Sequence, residues 1–149
     1  MTIAIIDADL LGRKNHRFPN LACMKISAYH KNKGDDVVLK DDYEDLDDFD
    51  RVYVSKVFTD TPYPAEYMSK QSVEVIEGGT GFYFDKAPNL PDEIEHCMPD
   101  YHLYDEWISW KCFERKEEAK ENGIEFDKSK YMIQFKEYTD YPLVIKPIE

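Results

Sequence analysis

The sequence predicts an α/β fold: a Rossmann-like or flavodoxin-like domain with a mainly parallel sheet of four to five strands, helices on both faces and a carboxy-terminal helical extension. Three observations predict it. The apolar run Ile3-Ala4-Ile5-Ile6 ends in a polar, glycine-containing turn, Asp7-Ala8-Asp9-Leu10-Leu11-Gly12. A helix-length stretch separates it from a second β-branched run, Asp36-Val37-Val38-Leu39. Further runs recur at Arg51-Val52-Tyr53-Val54-Ser55 and Val73-Glu74-Val75-Ile76. Strands alternating with helices need crossovers, and crossovers make the paired strands parallel.

Taken in order, residues 2–40 read as one strand–helix–strand unit with its functional loop at residues 7–20. Pro19 suits the first turn of a helix that runs to about Lys33, and Gly34 falls where a left-handed cap is expected. The acidic run 41–50 has one reading as a metal or partner site and another as a short solvated helix, which the three-residue spacing of Tyr43, Leu46 and Phe49 toward the core favours. The third strand is residues 51–55. Thr59-Asp60-Thr61-Pro62 marks a turn, and a short helix is expected near residues 64–70. The fourth strand, 73–76, closes on Gly78-Gly79-Thr80-Gly81, and Phe82-Tyr83-Phe84 continues as loop or as a fifth short strand. Pro88, Pro91 and Pro99 exclude a long regular element, so residues 85–101 read as an extended connector. A helix from Leu103 to about Asn122 is ended by Gly123. Its first half is apolar, and its second half is almost wholly charged and projects into solvent. Residues 127–138 are undecided between helix and strand, and Leu143-Val144-Ile145 reads as a terminal strand. The domain division is 1–101 for the α/β unit with its connector and 102–149 for the extension packed on it, as one structural domain.

Composition narrows the function. The chain has 149 residues, 42% hydrophobic and 34% charged, enough for one domain with a real core. No run is long enough to span a membrane, and Met1-Thr2 leads straight into a strand with no signal-peptide pattern. Cys23, Cys97 and Cys112 lack metal-like spacing, which points to reduced thiols in a cytoplasm, with Cys23 a small buried hydrophobe. A net charge of −12 repels phosphate backbones and argues against nucleic acid as partner.

Three turns converge on one edge of such a sheet: residues 7–12, Ser55-Lys56-Val57, and Gly78-Gly79-Thr80-Gly81. That edge is where open α/β sheets bind ligands. Asp7, Asp9, Gly12, Ser55, Gly78, Gly79 and Thr80 are the candidate cofactor-binding residues. Arg13 and Arg17 join them: Arg13-Lys14-Asn15-His16-Arg17 is the one dense basic stretch and precedes a helix amino terminus, which favours a phosphate or carboxylate, with a solvated loop or local salt bridges as the other reading. Asp7 and Asp9 have a second reading as loop caps, and a third as Mg²⁺ ligands. His30 reads as structural, and His96 and His102 have no second ligand at metal spacing.

These residues carry a resemblance. Cobalamin-binding domains have the pattern Asp-x-His-x-x-Gly, then Ser-x-Leu, then Gly-Gly. This chain has Asp7-x-Asp9-x-x-Gly12, Ser55-x-Val57 and Gly78-Gly79. It resembles more specifically the amino-terminal cobalamin-binding-like domain of radical S-adenosylmethionine (radical SAM) proteins, through Phe18-Pro19-Asn20-Leu21-Ala22, Gly78-Gly79-Thr80-Gly81-Phe82, Leu90-Pro91-Asp92 and Met98-Pro99-Asp100-Tyr101. The resemblance implies cobalamin as cofactor and a radical SAM catalytic domain or partner protein beside it. Two departures stand out. Asp9 occupies the position of the cobalt-ligating histidine, and the chain lacks the three-cysteine CxxxCxxC cluster motif, so no iron–sulfur cluster is expected in it. The expected function is therefore a binding module without catalytic residues of its own, taking a cofactor or anionic small molecule at the strand ends. Two other classes remain open: a Mg²⁺-dependent enzyme or receiver-type switch using Asp7, Asp9 and an exposed Lys56, and an interaction scaffold using Trp107, Trp110 and the charged end of the last helix.

Overall fold

The computed structural model describes residues 1–13, 16, 18–83 and 88–123. Strands β1 (Thr2–Asp7), β2 (Asp36–Leu39), β3 (Arg51–Ser55) and β4 (Glu74–Gly78) form one all-parallel sheet in the spatial order β2-β1-β3-β4. This is the flavodoxin-like order, with its switch point between β1 and β3. Register aligns Asp7 with Ser55 and Ser55 with Gly78, so the last residues of three strands form a row along the carboxyl edge.

The helices are α1 (Ala8–Gly12), α2 (Leu21–Asn32), α3 (Ala65–Ser69), α4 (Asp92–Glu95) and α5 (Asp105–Glu121). Strand alternation divides the apolar residues between two faces. Ile3, Ile5 and Tyr53 meet Cys23, Met24 and Ile26 of α2, together with Ile94, Leu103 and Tyr104. Ala4, Ile6, Val52 and Val54 meet Ala8, Leu46 and Met68 on the other face. Full burial of each large aliphatic side chain contributes about 1.5–3 kcal/mol. A buried polar link joins sheet and helix on the α2 face. His30, fully buried, bonds Asp35 through Nδ1 at 2.8 Å and Tyr53 Oη through Nε2 at 2.9 Å, which bears out its structural reading.

Several boundaries differ from the sequence reading. Residues 8–12 are not a loop but one helical turn, started by Asp7, whose carboxylate accepts from Leu10 N–H. Pro19 lies before α2 rather than in it. Asn20 caps that helix by accepting from Cys23 N–H, and a side-chain cap satisfies a terminal donor that proline cannot. Gly34 is left-handed at φ 87°, as expected. The acidic run yields only a 3-10 turn at Leu46–Asp48, yet Leu46 is buried and Tyr43 and Phe49 pack against the core. β4 extends through Gly78, and Phe82 and Tyr83 lie in turn and bend rather than in a strand. Residues 101–104 are turn, and α5 begins at Asp105. Trp107 and Ile108 pack against the core, while Trp110 and Phe113 stand 57% and 58% exposed. Gly123 has φ 66° after α5, consistent with its expected role as terminator. Arg17, Phe84, residues 127–138 and the expected strand at 143–145 lie outside the described residues.

Candidate functional site at the carboxyl edge of the sheet

The three turns do meet at one edge, and most of their polar groups are satisfied by one another. Asp9, 1% exposed, accepts from Val57 N–H at 2.7 Å, Phe58 N–H at 3.3 Å and Thr61 Oγ1 at 2.7 Å. Its carboxylate thus ties the turn after β1 to the loop after β3. Gly12 completes that junction: a Cβ there would meet Thr61 Cγ2 at 2.7 Å and the Pro62 carbonyl oxygen at 3.0 Å. Gly79, at φ 101°, lies so close to the Lys56 backbone that any side chain would collide with it. Lys56 N–H donates to Gly78 O at 3.0 Å, Gly81 N–H to Lys56 O at 2.7 Å, and Thr80 Oγ1 to Val57 O at 2.7 Å. Gly12, Gly79 and Thr80 therefore serve the contact between loops.

Asp7 belongs to a buried cluster that local sequence does not reveal. Tyr104 Oη donates to its Oδ2 at 2.7 Å and accepts from Asn20 N–H at 2.9 Å. Asn20 Nδ2 donates to Ser55 Oγ at 2.8 Å. Burial raises the Asp7 carboxyl to about 6, and the Asp9 charge adds to this against the Tyr104 and Leu10 hydrogen bonds. Burial also holds the neighbouring Cys23 thiol well above its ordinary range, which makes it inert as a nucleophile. Tyr104, fully buried, closes the space between the end of β1 and the start of α2.

Arg13 lies on the outer rim. Its guanidinium pairs with Asp60 at 2.9 Å and lies 4.4 Å from the Phe58 ring centroid. His16 makes edge contacts with Phe18 and Phe58, and burial lowers its pKa.

An open cavity adjoins this edge. A groove of about 510 Å³ runs over β3 and β4 on the α2 side, between α2 and the connector. Ser55, Gly78 and Gly79 line one end; Ile26, Tyr29, Tyr53, Ile76, Leu90 and Ile94 form its apolar walls. The connector takes this position because Asp92–Glu95 form α4, whose Ile94 enters the core and whose Glu95 pairs with Lys25 of α2 at 2.8 Å. Thus Ser55, Gly78 and Gly79 are brought to the groove, Asp7, Asp9 and Gly12 are turned inward, and Arg13 lies outside it.

Cobalt ligation from position 9 does not fit this geometry, since both Asp9 oxygens are engaged. A Mg²⁺ site on Asp7 and Asp9 meets the same obstacle, because Asp7 accepts from Leu10 and Tyr104, and Lys56, expected to be exposed, is instead buried with its ammonium 5.3 Å from the Phe82 ring centroid. Among the described residues no cluster of three or more metal-ligating side chains occurs, and no helix is long and apolar enough to cross a membrane. Comparison with known proteins gives no matching family model, no curated relative and no matching solved structure.

Proposed function

We propose that this chain is a ligand-binding module of the cobalamin-binding-like kind that its motifs resemble. It takes a small molecule, or one arm of a larger cofactor, in the groove over β3 and β4, and leaves catalysis to a partner protein or domain. The observation that supports this reading is the groove itself: a mostly apolar cleft of ligand-binding size whose polar end is Ser55, Gly78 and Gly79 at the carboxyl edge of a parallel sheet. Cobalamin, which the resemblance implies, would be held through such a groove and without a cobalt bond to Asp9.

Titration of the full chain with hydroxocobalamin, nucleotides and S-adenosylmethionine tests it. The expected result is saturable binding of at least one of them, lost in Ile76→Trp, which fills the groove from a half-exposed position. Saturable binding of none of these, or binding indifferent to Ile76→Trp, would overturn the reading. If hydroxocobalamin binds, its visible spectrum is expected to be the same in Asp9→Asn as in the parent chain.

A further inference from the structure

The groove has two unlike ends. Its lining includes Ala22 near the start of α2 with Ser55 and Gly79 at the carboxyl edge of the sheet, and Lys33 just after α2 with Arg51 at the start of β3. From Arg51 to Ser55 the strand spans about 13 Å. We propose that this groove, on the reading above, takes an elongated apolar molecule bearing a carboxylate, and that Lys33 holds the carboxylate at the end remote from Ser55.

Two cations, Lys33 and Arg51, line the groove together with Glu77, Glu93 and Glu95, and which of them are already engaged decides where a carboxylate can sit. Arg51 is already engaged, by Glu74 at 3.0 Å and by Tyr53 Oη at 3.2 Å. Lys33 has no carboxylate partner among the described residues; its ammonium stands 5.0 Å from the Tyr29 ring centroid, a wall of the groove. Of the nearby acids, Glu95 pairs with Lys25, and Glu77, which borders the groove, also borders the α3 side of β4, where its carboxylate meets Tyr63. Glu93 stands exposed on the opposite, α4 wall. A flexible lysine stem reaches into the end of such a groove without rearranging the backbone. The apolar walls exclude a small inorganic anion as the best-fitting ligand, because they would go uncovered.

Calorimetric titration of the full chain with decanoate and with its neutral counterpart decanamide tests the assignment. The expected result is a preference for decanoate of about tenfold or more, near 1.4 kcal/mol. Lys33→Gln abolishes the preference by weakening decanoate alone. Lys31→Gln, whose lysine pairs with Asp100 outside the groove, leaves it intact. Ile76→Trp weakens both ligands. Equal affinity for the two in the parent chain, with both lost in Ile76→Trp, would overturn the carboxylate assignment and leave the groove reading standing. A preference that survives Lys33→Gln would also overturn it, and would reduce Lys33 to a partner of the α2 carboxyl terminus. Binding of neither probe overturns the assignment outright.

Discussion

Asp7 and Asp9 are two residues apart, both 1% exposed, and use their oxygens differently. Asp9 receives its donors from a loop about fifty residues away, so it acts as a clamp between the turn after β1 and the loop after β3. Asp9→Ala strands two backbone N–H groups and a buried hydroxyl, and is expected to cost about 2–4 kcal/mol in urea denaturation. Asp9→Asn keeps an acceptor and is expected to cost less than half of that. Asp7 gives a pH signature instead. Its folded pKa of about 6 lies above the ordinary value of 3.8, so the native state binds the proton more tightly than the unfolded chain. The resulting stabilisation is complete below about pH 3.8 and is lost as the pH rises through 6. The loss is about 3 kcal/mol. Asp7→Asn lacks this dependence. The stability of Asp7→Asn relative to the parent chain is therefore expected to rise by about that amount between pH 4 and pH 7. A difference that stays flat across that range would show that the carboxylate remains solvated.

At the scale of elements, the glycines separate local from long-range causes. Gly34 and Gly79 both have positive φ, 87° and 101°. A Cβ on Gly34 meets nothing within 4 Å, whereas on Gly79 it collides with the Lys56 backbone. Gly34→Ala is expected to cost about 1–2 kcal/mol, from backbone conformation alone. Gly79→Ala adds a backbone displacement and is expected to cost about 3 kcal/mol or more. Thermal denaturation of the two variants side by side measures the difference; equal costs would mean that the 78–81 turn moves freely off Lys56. The same contrast explains what the sequence could reveal. Strands and the cap at Gly34 follow from neighbouring residues, so β-branched runs and a single glycine were enough to locate them. The motif Gly78-Gly79-Thr80-Gly81 was legible as a special turn. Its purpose was not, because the Lys56 backbone that requires it sits more than twenty residues earlier. Ser55, Gly78 and Gly79 were legible as site residues because all three end a strand or follow its end. The groove's other wall was not: Leu90 and Ile94 reach it from a proline-rich connector with no periodic pattern. Pro19 was misread as the helix start because proline at that point competes with Asn20, whose side chain supplies the cap.

On the scale of the whole molecule, Tyr104 joins the beginning of the chain to its later part. Its hydroxyl bridges Asp7 of β1 and Asn20 at the head of α2, and its ring is fully buried beside Ile3, Ile5 and Met24. Leu103 enters the same cluster, and Tyr101 is also buried. Asp100 anchors the turn before them, its backbone N–H donating to Met24 O and its carboxylate accepting from Ser27 and Lys31. A boundary drawn after residue 101 therefore passes through the core rather than between units. No local signal marks Tyr104 in the sequence, since its partner lies 97 residues away. Two measurements follow. A chain ending at residue 101 lacks Leu103 and the Tyr104 ring, whose deletion alone is worth about 3–5 kcal/mol, a large part of a typical domain's stability. It is expected to lose the cooperative unfolding of the full chain. Tyr104→Phe keeps the ring and removes only the hydroxyl. Because that hydroxyl pairs with Asp7, Tyr104→Phe and Asp7→Asn are expected to be non-additive, with a coupling of about 1–2 kcal/mol at pH 7 that shrinks at pH 4, where Asp7 is protonated. Additive costs at both pH values would mean that Tyr104 holds the strand ends by packing alone, and that its hydroxyl could be given up to a ligand reaching Asp7.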